Sequence, residues 1–354
     1  LISGFILGLA GSIAPVVTLE GQEHITLRTD VMLYGDNTEF RNPFREGETI
    51  FGAAIRPTAE IDMNARVKVS LGAIANERFG GDSAFELVRP VVSVTFHGAR
   101  SSFLIGTLPV RRLGTPEGPD RATPHGLLPA IQRETLTFER PYEAGLQWTM
   151  TTSSWRHEAW INWQRLNTAA HRERFDTGLS AQWRVHRLLS LPFQLHIVHE
   201  GGQLFASGPV ADSIATALGA RFVTRAWRSG EFSLETYALA SHDVPDREQS
   251  RLTRNGAGFF GRIAVIREGW RGHLLFWRGD DFIKDEADPN YLSLTRTGMR
   301  YRGVRDYSEV GLARAFVPAP GVSFEAAARM HRVENHYEYS YRVLCTTRLE
   351  WKLR

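Results

Sequence analysis

Cysteine is almost missing: Cys345 is the one thiol in 354 residues. A single cysteine excludes a disulfide within the chain and a cysteine-based zinc cluster. Long apolar runs are missing as well. Hydrophobic residues make up 42% of the chain, yet no stretch approaches the roughly 18 consecutive apolar residues a membrane helix needs. Any passage through a bilayer must therefore use strands. Nor is there a surplus of one charge: 42 Lys and Arg stand against 39 Asp and Glu, for a net charge of +3. That balance, without a basic run interleaved with aromatics, argues against nucleic acid as a partner. Motifs for catalysis fail too. No Gly-x-Ser-x-Gly elbow occurs, and the glycine-rich stretch from Gly256 to Gly261 has neither a P-loop lysine nor a helix after it. His199-Glu200-Gly201-Gly202-Gln203 begins like a zincin helix, but Gln203 stands where the second histidine must be. His196 and His199, at odd spacing, fall on opposite faces of a strand. Ser241 and His242 are adjacent and also point apart. The sequence therefore offers no catalytic residue, no metal ligand set and no cofactor, and it reads as a non-enzyme.

What is present is alternation. In the segment 65–76, Val67, Val69 and Leu71 fall on one face, with Arg66, Lys68 and Ser70 on the other. Successive side chains of a strand point to opposite faces, so this period of two gives one apolar and one wet face. Sixteen such segments are predicted, the first near 22–34 and the last near 340–354. Tight links such as Met63-Asn64, Ser153-Ser154 and Glu268-Gly269 alternate with long polar ones at 35–48, 244–255 and 283–305. Parity sorts the charges. Phe51, Ala53, Ile55, Pro57, Ala59 and Ile61 fall on one side of their strand, opposite Arg56, Thr58, Glu60 and Asp62. An Arg or Lys on the lipid face at mid-bilayer costs about 2–4 kcal/mol, which explains such sorting. Aromatics at the strand ends, among them Tyr34, Phe96, Trp155, Tyr307, Tyr341 and Trp351, fit belts at the headgroup level.

The predicted fold is all-β: a transmembrane antiparallel β-barrel of about sixteen strands, with short periplasmic turns and long extracellular loops. Leu1 to Ala14 is apolar and rich in small residues, with Ser12 and Ala14 at −3 and −1 of a cut before Pro15. Residues 1–14 are read as a partial signal peptide and 15–354 as one barrel domain. The last strand keeps Leu349, Trp351 and Leu353 in alternation and ends on Arg354. With these features the chain resembles the porin-like barrels of Gram-negative outer membranes. The resemblance implies outer-membrane lipid and lipopolysaccharide around it, the barrel-assembly machinery as a partner, and a homo-oligomer as an allowed state. It also implies that the third long loop, 110–141, folds inward as a constriction, bringing Arg111, Arg112, Asp120, Arg121 and Arg133 into the passage.

The predicted pore-lining cations are Arg56, Arg66, Lys68, Arg89, Arg184, Arg221, Arg262, Arg271, Arg314, Arg329, Arg342 and Arg348, set against fewer carboxylates. A surplus of guanidinium favours anions. The function read from this is passive diffusion of small hydrophilic solutes, with a weak anion preference. The alternatives are an outer-membrane lipid hydrolase and a structural or export barrel for a surface polymer. The acidic stretch Asp280, Asp281, Asp285, Glu286 and Asp288 reads as a solvated extracellular loop, with a loop calcium site as the sharper alternative.

Overall fold

A computed structural model describes residues 24–109, 123–226 and 230–353. The sixteen strands are β1 (His24–Glu39), β2 (Glu48–Asn64), β3 (Val67–Arg78), β4 (Leu87–His97), β5 (Ser101–Thr107), β6 (Ala144–Thr151), β7 (Trp155–Arg165), β8 (Glu173–His186), β9 (Leu189–Gly201), β10 (Ala211–Ala226), β11 (Gly230–Val244), β12 (Arg254–Arg267), β13 (Trp270–Asp280), β14 (Arg305–Ala319), β15 (Val322–Val333) and β16 (His336–Leu353). Each pairs antiparallel with its sequence neighbours, and β1 closes the ring on β16. Closure leaves no strand without a partner on either side, which is what lets a sheet cross hydrocarbon. The register at the seam is Leu27 opposite Trp351 and Asp30 opposite Arg348. No helix among the described residues is long and apolar enough to span a membrane. The chain is a closed sixteen-strand barrel of the outer-membrane type.

Parity works as the alternation requires. On β2, Phe51 and Ile55 are exposed on the outer face, while Ile50, Ala54, Arg56 and Thr58 are buried inside. The link Glu268-Gly269 joins β12 and β13 with both residues at positive φ, 50° and 81°. Two such residues make the tight turn whose twist matches the strands it joins.

The interior is packed, and here the structure departs from an open tube. Leu127, Leu128, Ala130 and Ile131 sit in one buried cluster with Trp160, Phe260, Trp277 and Tyr307 of the wall. The helix α1 (Leu136–Glu139) places Phe138 against Tyr34, with ring centroids 4.8 Å apart. Residues 123–143 therefore lie within the barrel. So does the segment 281–304, read from sequence as an extracellular loop. Phe282 and Tyr291 are fully buried, and the Asp285 and Ile283 amides donate to Ser213 Oγ (2.8 Å) and Ser241 Oγ (3.2 Å) on the inner wall. The two inward segments hold each other, Arg133 N–H to the Glu286 carbonyl at 2.7 Å and Asp288 N–H to the Pro129 carbonyl at 2.9 Å. The acidic stretch is thus an inner plug, not a solvated loop. Tyr34 and Tyr307 likewise face inward and belong to no belt. The proposed signal segment 1–14 lies outside the described residues.

The inward plug decides where a tag can be carried. A tag inserted at Asp82, in the link after β3, is expected to be labelled on intact cells, and one between Pro320 and Gly321 to stay hidden. A tag at Asp288 is expected to disrupt folding, because that residue bonds inside the plug. Labelling at Gly321 but not at Asp82 would mean the barrel is inserted the other way round.

Candidate active site

Three neighbouring strands bring a serine, a histidine and a carboxylate together inside the barrel. On β14 and β15 the odd-numbered residues face inward; on β16 the even-numbered ones do. Glu309 is directly opposite His331, and Ser340 is opposite Arg329, one inward step from His331. Inward neighbours on adjacent strands lie within side-chain reach. His331 Nε2 is 2.8 Å from Ser340 Oγ, and its Nδ1 is 3.3 Å from Glu309 Oε2. All three are buried.

The surrounding bonds fix the tautomer. The Tyr307 hydroxyl lies 2.6 Å from Glu309 Oε2 and 2.8 Å from His331 Nδ1. Its single proton goes to the carboxylate, which leaves its lone pair for an Nδ1–H of His331. Nε2 is then unprotonated and faces the Ser340 hydroxyl, the arrangement a general base needs. His273 Nε2, 2.6 Å from Glu309 Oε1, anchors the far side of the carboxylate, and the edge of Phe40 packs on the His331 ring at 4.9 Å.

Cations surround this trio. Arg329 and Arg342 both bond Glu134 of the inward segment, at 2.9 and 2.6 Å. Arg342 also pairs with Asp36. A small cavity of about 60 Å³ opens among these groups, bordered by Thr38, Glu134, Glu309, Arg329, His331 and Ser340. That space has room for a few waters.

A second polar cluster lies across the plug. Ligand atoms of Asp176, His196 and Glu286 come within 4.8 Å of one another. Asp176 Oδ1 accepts from Asn162 and Gln164 at 2.8 and 2.9 Å, and Oδ2 from Trp160 at 2.8 Å with His196 Nε2 at 3.2 Å. Glu286 is bonded by Arg140 at 2.7 Å and Gln164 at 2.9 Å. With both Asp176 oxygens already accepting two donors and cations on Glu286, the cluster fits a clasp between plug and wall better than a cation cage.

Next to it Lys284 is fully buried, its Nζ 2.6 Å from the Asp285 carbonyl. Burial pushes this ammonium down to about 8, against the pull of Glu286 and Asp285. The unfolded lysine holds its proton up to its ordinary value, so between pH 8 and about 10.5 unfolding takes up a proton and stability rises with pH. Below about 8 both states are protonated and the whole cost of the buried charge remains. Lys284→Met is therefore expected to unfold at a higher temperature than wild type at pH 7, with the gap narrowing as pH climbs from 8 to 10. A gap independent of pH would mean that Lys284 is neutral or solvated at pH 7.

The residues predicted as pore-lining divide. Arg56, Lys68, Arg89, Arg184, Arg221, Arg262, Arg271, Arg329, Arg342 and Arg348 stand on inward positions, and most are ion-paired. Arg221 and Arg262 share Glu235, Arg271 meets Glu325, Lys68 meets Glu60 and Arg348 meets Asp30. Arg56 instead caps the Leu108 carbonyl at 3.0 Å, where the chain turns into the barrel. Two placements are corrected. Arg314 has the outward parity of β14 and stacks over Trp270 at 5.1 Å, because Glu309 and Ala313 set the inward face at odd numbers. Arg66 belongs to the turn before β3 and is exposed at the rim. In the inward segment Arg133 bonds Glu139; Arg111, Arg112, Asp120 and Arg121 lie outside the described residues. Sequence reasoning missed Ser340, His331 and Glu309 as a group, since only the strand register unites them.

Comparison with known proteins separates fold from family. The barrel is similar to Pseudomonas aeruginosa OccK8 (OprE), with a TM-score of 0.54, 11% identity and 93% of this chain covering 98% of that one. It is also similar to a loop L8 deletion mutant of Vibrio cholerae OmpT, with a TM-score of 0.56, 7% identity and coverages of 92% and 99%. At such identities the likeness is one of fold, and it establishes the outer-membrane porin-type barrel. Among curated proteins none matches the sequence. The sequence model for lipid A 3'-O-deacylase-type proteins, a family of enzymes, matches residues 17–354. That match overturns the expectation of a non-enzyme, which rested on the lack of local motifs and not on the assembled interior. With nearly the whole length matched, the chain belongs to the lipid A 3'-O-deacylase-type family.

Proposed function

We propose that this protein cleaves an ester-linked acyl chain from a lipid A-type glycolipid of the outer membrane. The observation that carries this reading is the 2.8 Å contact between Ser340 Oγ and His331 Nε2 beside an arginine-lined cavity, in a chain of that family. Ser340 Oγ attacks the ester carbonyl and passes its proton to His331 Nε2. Glu309 and Tyr307 hold the ring and stabilise the imidazolium. Arg329, the cross-strand neighbour of Ser340, supports the oxyanion electrostatically. The proton on His331 then leaves with the sugar alcohol, and water releases the acyl group from Ser340 as a free fatty acid.

The test is direct. Barrel folded in detergent is incubated with purified lipid A, and the products are weighed by mass spectrometry. The expected result is loss of one ester-linked acyl chain together with appearance of the matching fatty acid. Lipid A unchanged by a folded barrel would remove the proposal.

A second reading, passive diffusion of small solutes with a weak anion preference, is supported by one feature. Towards the short-turn end the interior opens into a cavity of about 500 Å³, bordered by Arg28, Arg156, Arg221, Arg262 and Arg348 and floored by Leu127 to Pro129 of the plug. Steady single-channel conductance in a planar bilayer, reversing toward anions, would support it, and electrical silence would dismiss it.

A further inference from the structure

The wall of this barrel is uneven. β1 and β2 run 16 and 17 residues, whereas β5 and β6 run only 7 and 8. The deficit is at the long-loop end. The β4–β5 ladder stops at Ser93 opposite Gly106, and the β6–β7 ladder stops at Gly145 opposite Asn162. Beyond those rungs the chain leaves the wall. One further bond joins Leu108 N–H to the Glu143 carbonyl at 2.9 Å, and Leu108 is already buried inside. Gly106 makes this departure feasible: its φ is +115°, and a Cβ there would lie 2.1 Å from the Val92 carbonyl oxygen. Among the described residues the result is a gap two strands wide between the ends of β4 and β7. There residues 87–92 of β4 pair with β3 alone, a length of about 20 Å at ordinary strand rise. The apolar band of such a barrel is only about 25 Å tall, so the gap reaches into the outer leaflet.

The edges of the gap are built as edges. Pro90 has no N–H to leave unpaired. The Val92 amide is capped by Thr107 Oγ1 at 3.1 Å, and the Ala144 amide by Asn162 Oδ1 at 3.0 Å. Behind the gap is a cavity of about 420 Å³, whose lining includes Leu87, Arg89 and Pro90 on β4, Leu136 and Tyr142 on the plug, and Trp163 on β7. Val88, Val92 and Trp163 expose large apolar surfaces on the membrane side. The carboxylates of the cavity are already engaged: Glu139 with Arg133, Glu143 with His125, Glu286 with Arg140, and Asp176 with Trp160 and Asn162. Arg89 makes no ion pair among the described residues. An apolar rim, a recess and a guanidinium with no ion pair among the described residues together match one kind of occupant.

We propose that the gap between β4 and β7 is a lateral portal that seats an acyl chain of an anionic outer-leaflet lipid, its headgroup phosphate on Arg89. The proposal does not depend on ester cleavage. It explains why the wall is lowered at this place, since unpaired strand edges at hydrocarbon depth are tolerated only where something covers them.

Photo-crosslinking tests it in the full-length protein in the outer membrane. Tyr142 is replaced by p-benzoylphenylalanine, a substitution of one aromatic by another, and cells are irradiated. The expected product is a covalent lipid adduct on the folded barrel, seen by mass spectrometry, with none from the same substitution at Tyr291, deep in the plug. Leu87, on the opposite side of the recess, is expected to behave like Tyr142 and serves if the Tyr142 variant fails the heat-shift test for folding. Arg89→Glu in either background is expected to lower the adduct at least fivefold. Adducts to a second copy of this chain in place of lipid, no adduct at either position, or an adduct indifferent to Arg89→Glu would each overturn the portal. Lipid adducts without fatty-acid release would leave the portal standing and remove the hydrolase. Release without adducts would do the reverse.

Discussion

Ser340→Ala is expected to abolish fatty-acid release, lowering the rate by three orders of magnitude or more, while the barrel still folds. The size follows from the loss of the nucleophile: removing a member of a serine–histidine–carboxylate set leaves only what binding and oxyanion stabilisation supply. Structurally the change is small. It deletes one oxygen and leaves His331 Nε2 beside the cavity, where water can replace the hydroxyl. The net cost in stability is on the order of 1 kcal/mol. Glu309→Gln is expected to be nearly as damaging for a different reason. An amide can donate to Nδ1 and so favour the tautomer whose Nε2 carries a proton and cannot accept one from Ser340. His273 and Tyr307 would each lose an anionic partner as well. Rates are read by mass spectrometry of released fatty acid, and folding by the mobility shift between boiled and unboiled samples. Undiminished release from a folded Ser340→Ala barrel would mean that another group is the nucleophile.

Asp176→Ala is expected to be the most destabilising single change, by about 3–5 kcal/mol, the range for stripping one partner from a buried charged network. Three donors would lose their acceptor at once, Trp160 Nε1, Asn162 Nδ2 and His196 Nε2, and Gln164 Nε2 would keep only Glu286. The three have no ready substitute, because the nearest carboxylate, Glu286, already serves Arg140 and Gln164. The damage should be local. The sheet closes on its own backbone ladder, whereas the plug is attached through side chains of the wall, with this cluster and the Glu134–Arg329–Arg342 bonds carrying its charged contacts alongside the Ser213 and Ser241 bonds. Limited proteolysis in detergent is therefore expected to cut within 281–304 in the variant and not in wild type. Barrel unfolding, which detergent often makes irreversible, is compared as a rate. Equal protease resistance and equal unfolding rates would show that the cluster holds nothing in place.

The architecture was legible in the sequence because a strand's side-chain period is exact and local. Val67, Val69 and Leu71 against Lys68 and Ser70 declare one wall without any knowledge of the rest. Sixteen such stretches, with tight and long links alternating between them, leave a barrel as the structure that satisfies the backbone groups in a membrane. The even number of strands and the short turns also follow from local residues. The inward sides of Glu325, Arg329 and His331 were readable from their parity on β15.

Three things were decided only in the assembled molecule. Arg314 takes the outward side because a charge near a strand end can lie over an aromatic such as Trp270 at the interface. The plug was half hidden. A polar, acidic stretch such as 281–304 looks solvated until Arg140 and Arg174 are seen to meet its carboxylates inside the barrel. The candidate active site was hidden entirely. Glu309, His331 and Ser340 have no fixed spacing, and they meet because three strands pair in one register and not a residue to either side. Sequence determines which face of a strand each side chain takes, since that depends on neighbours along the chain. Which faces then meet across the interior depends on register and on where the chain turns inward, and those are set by contacts between residues far apart in sequence.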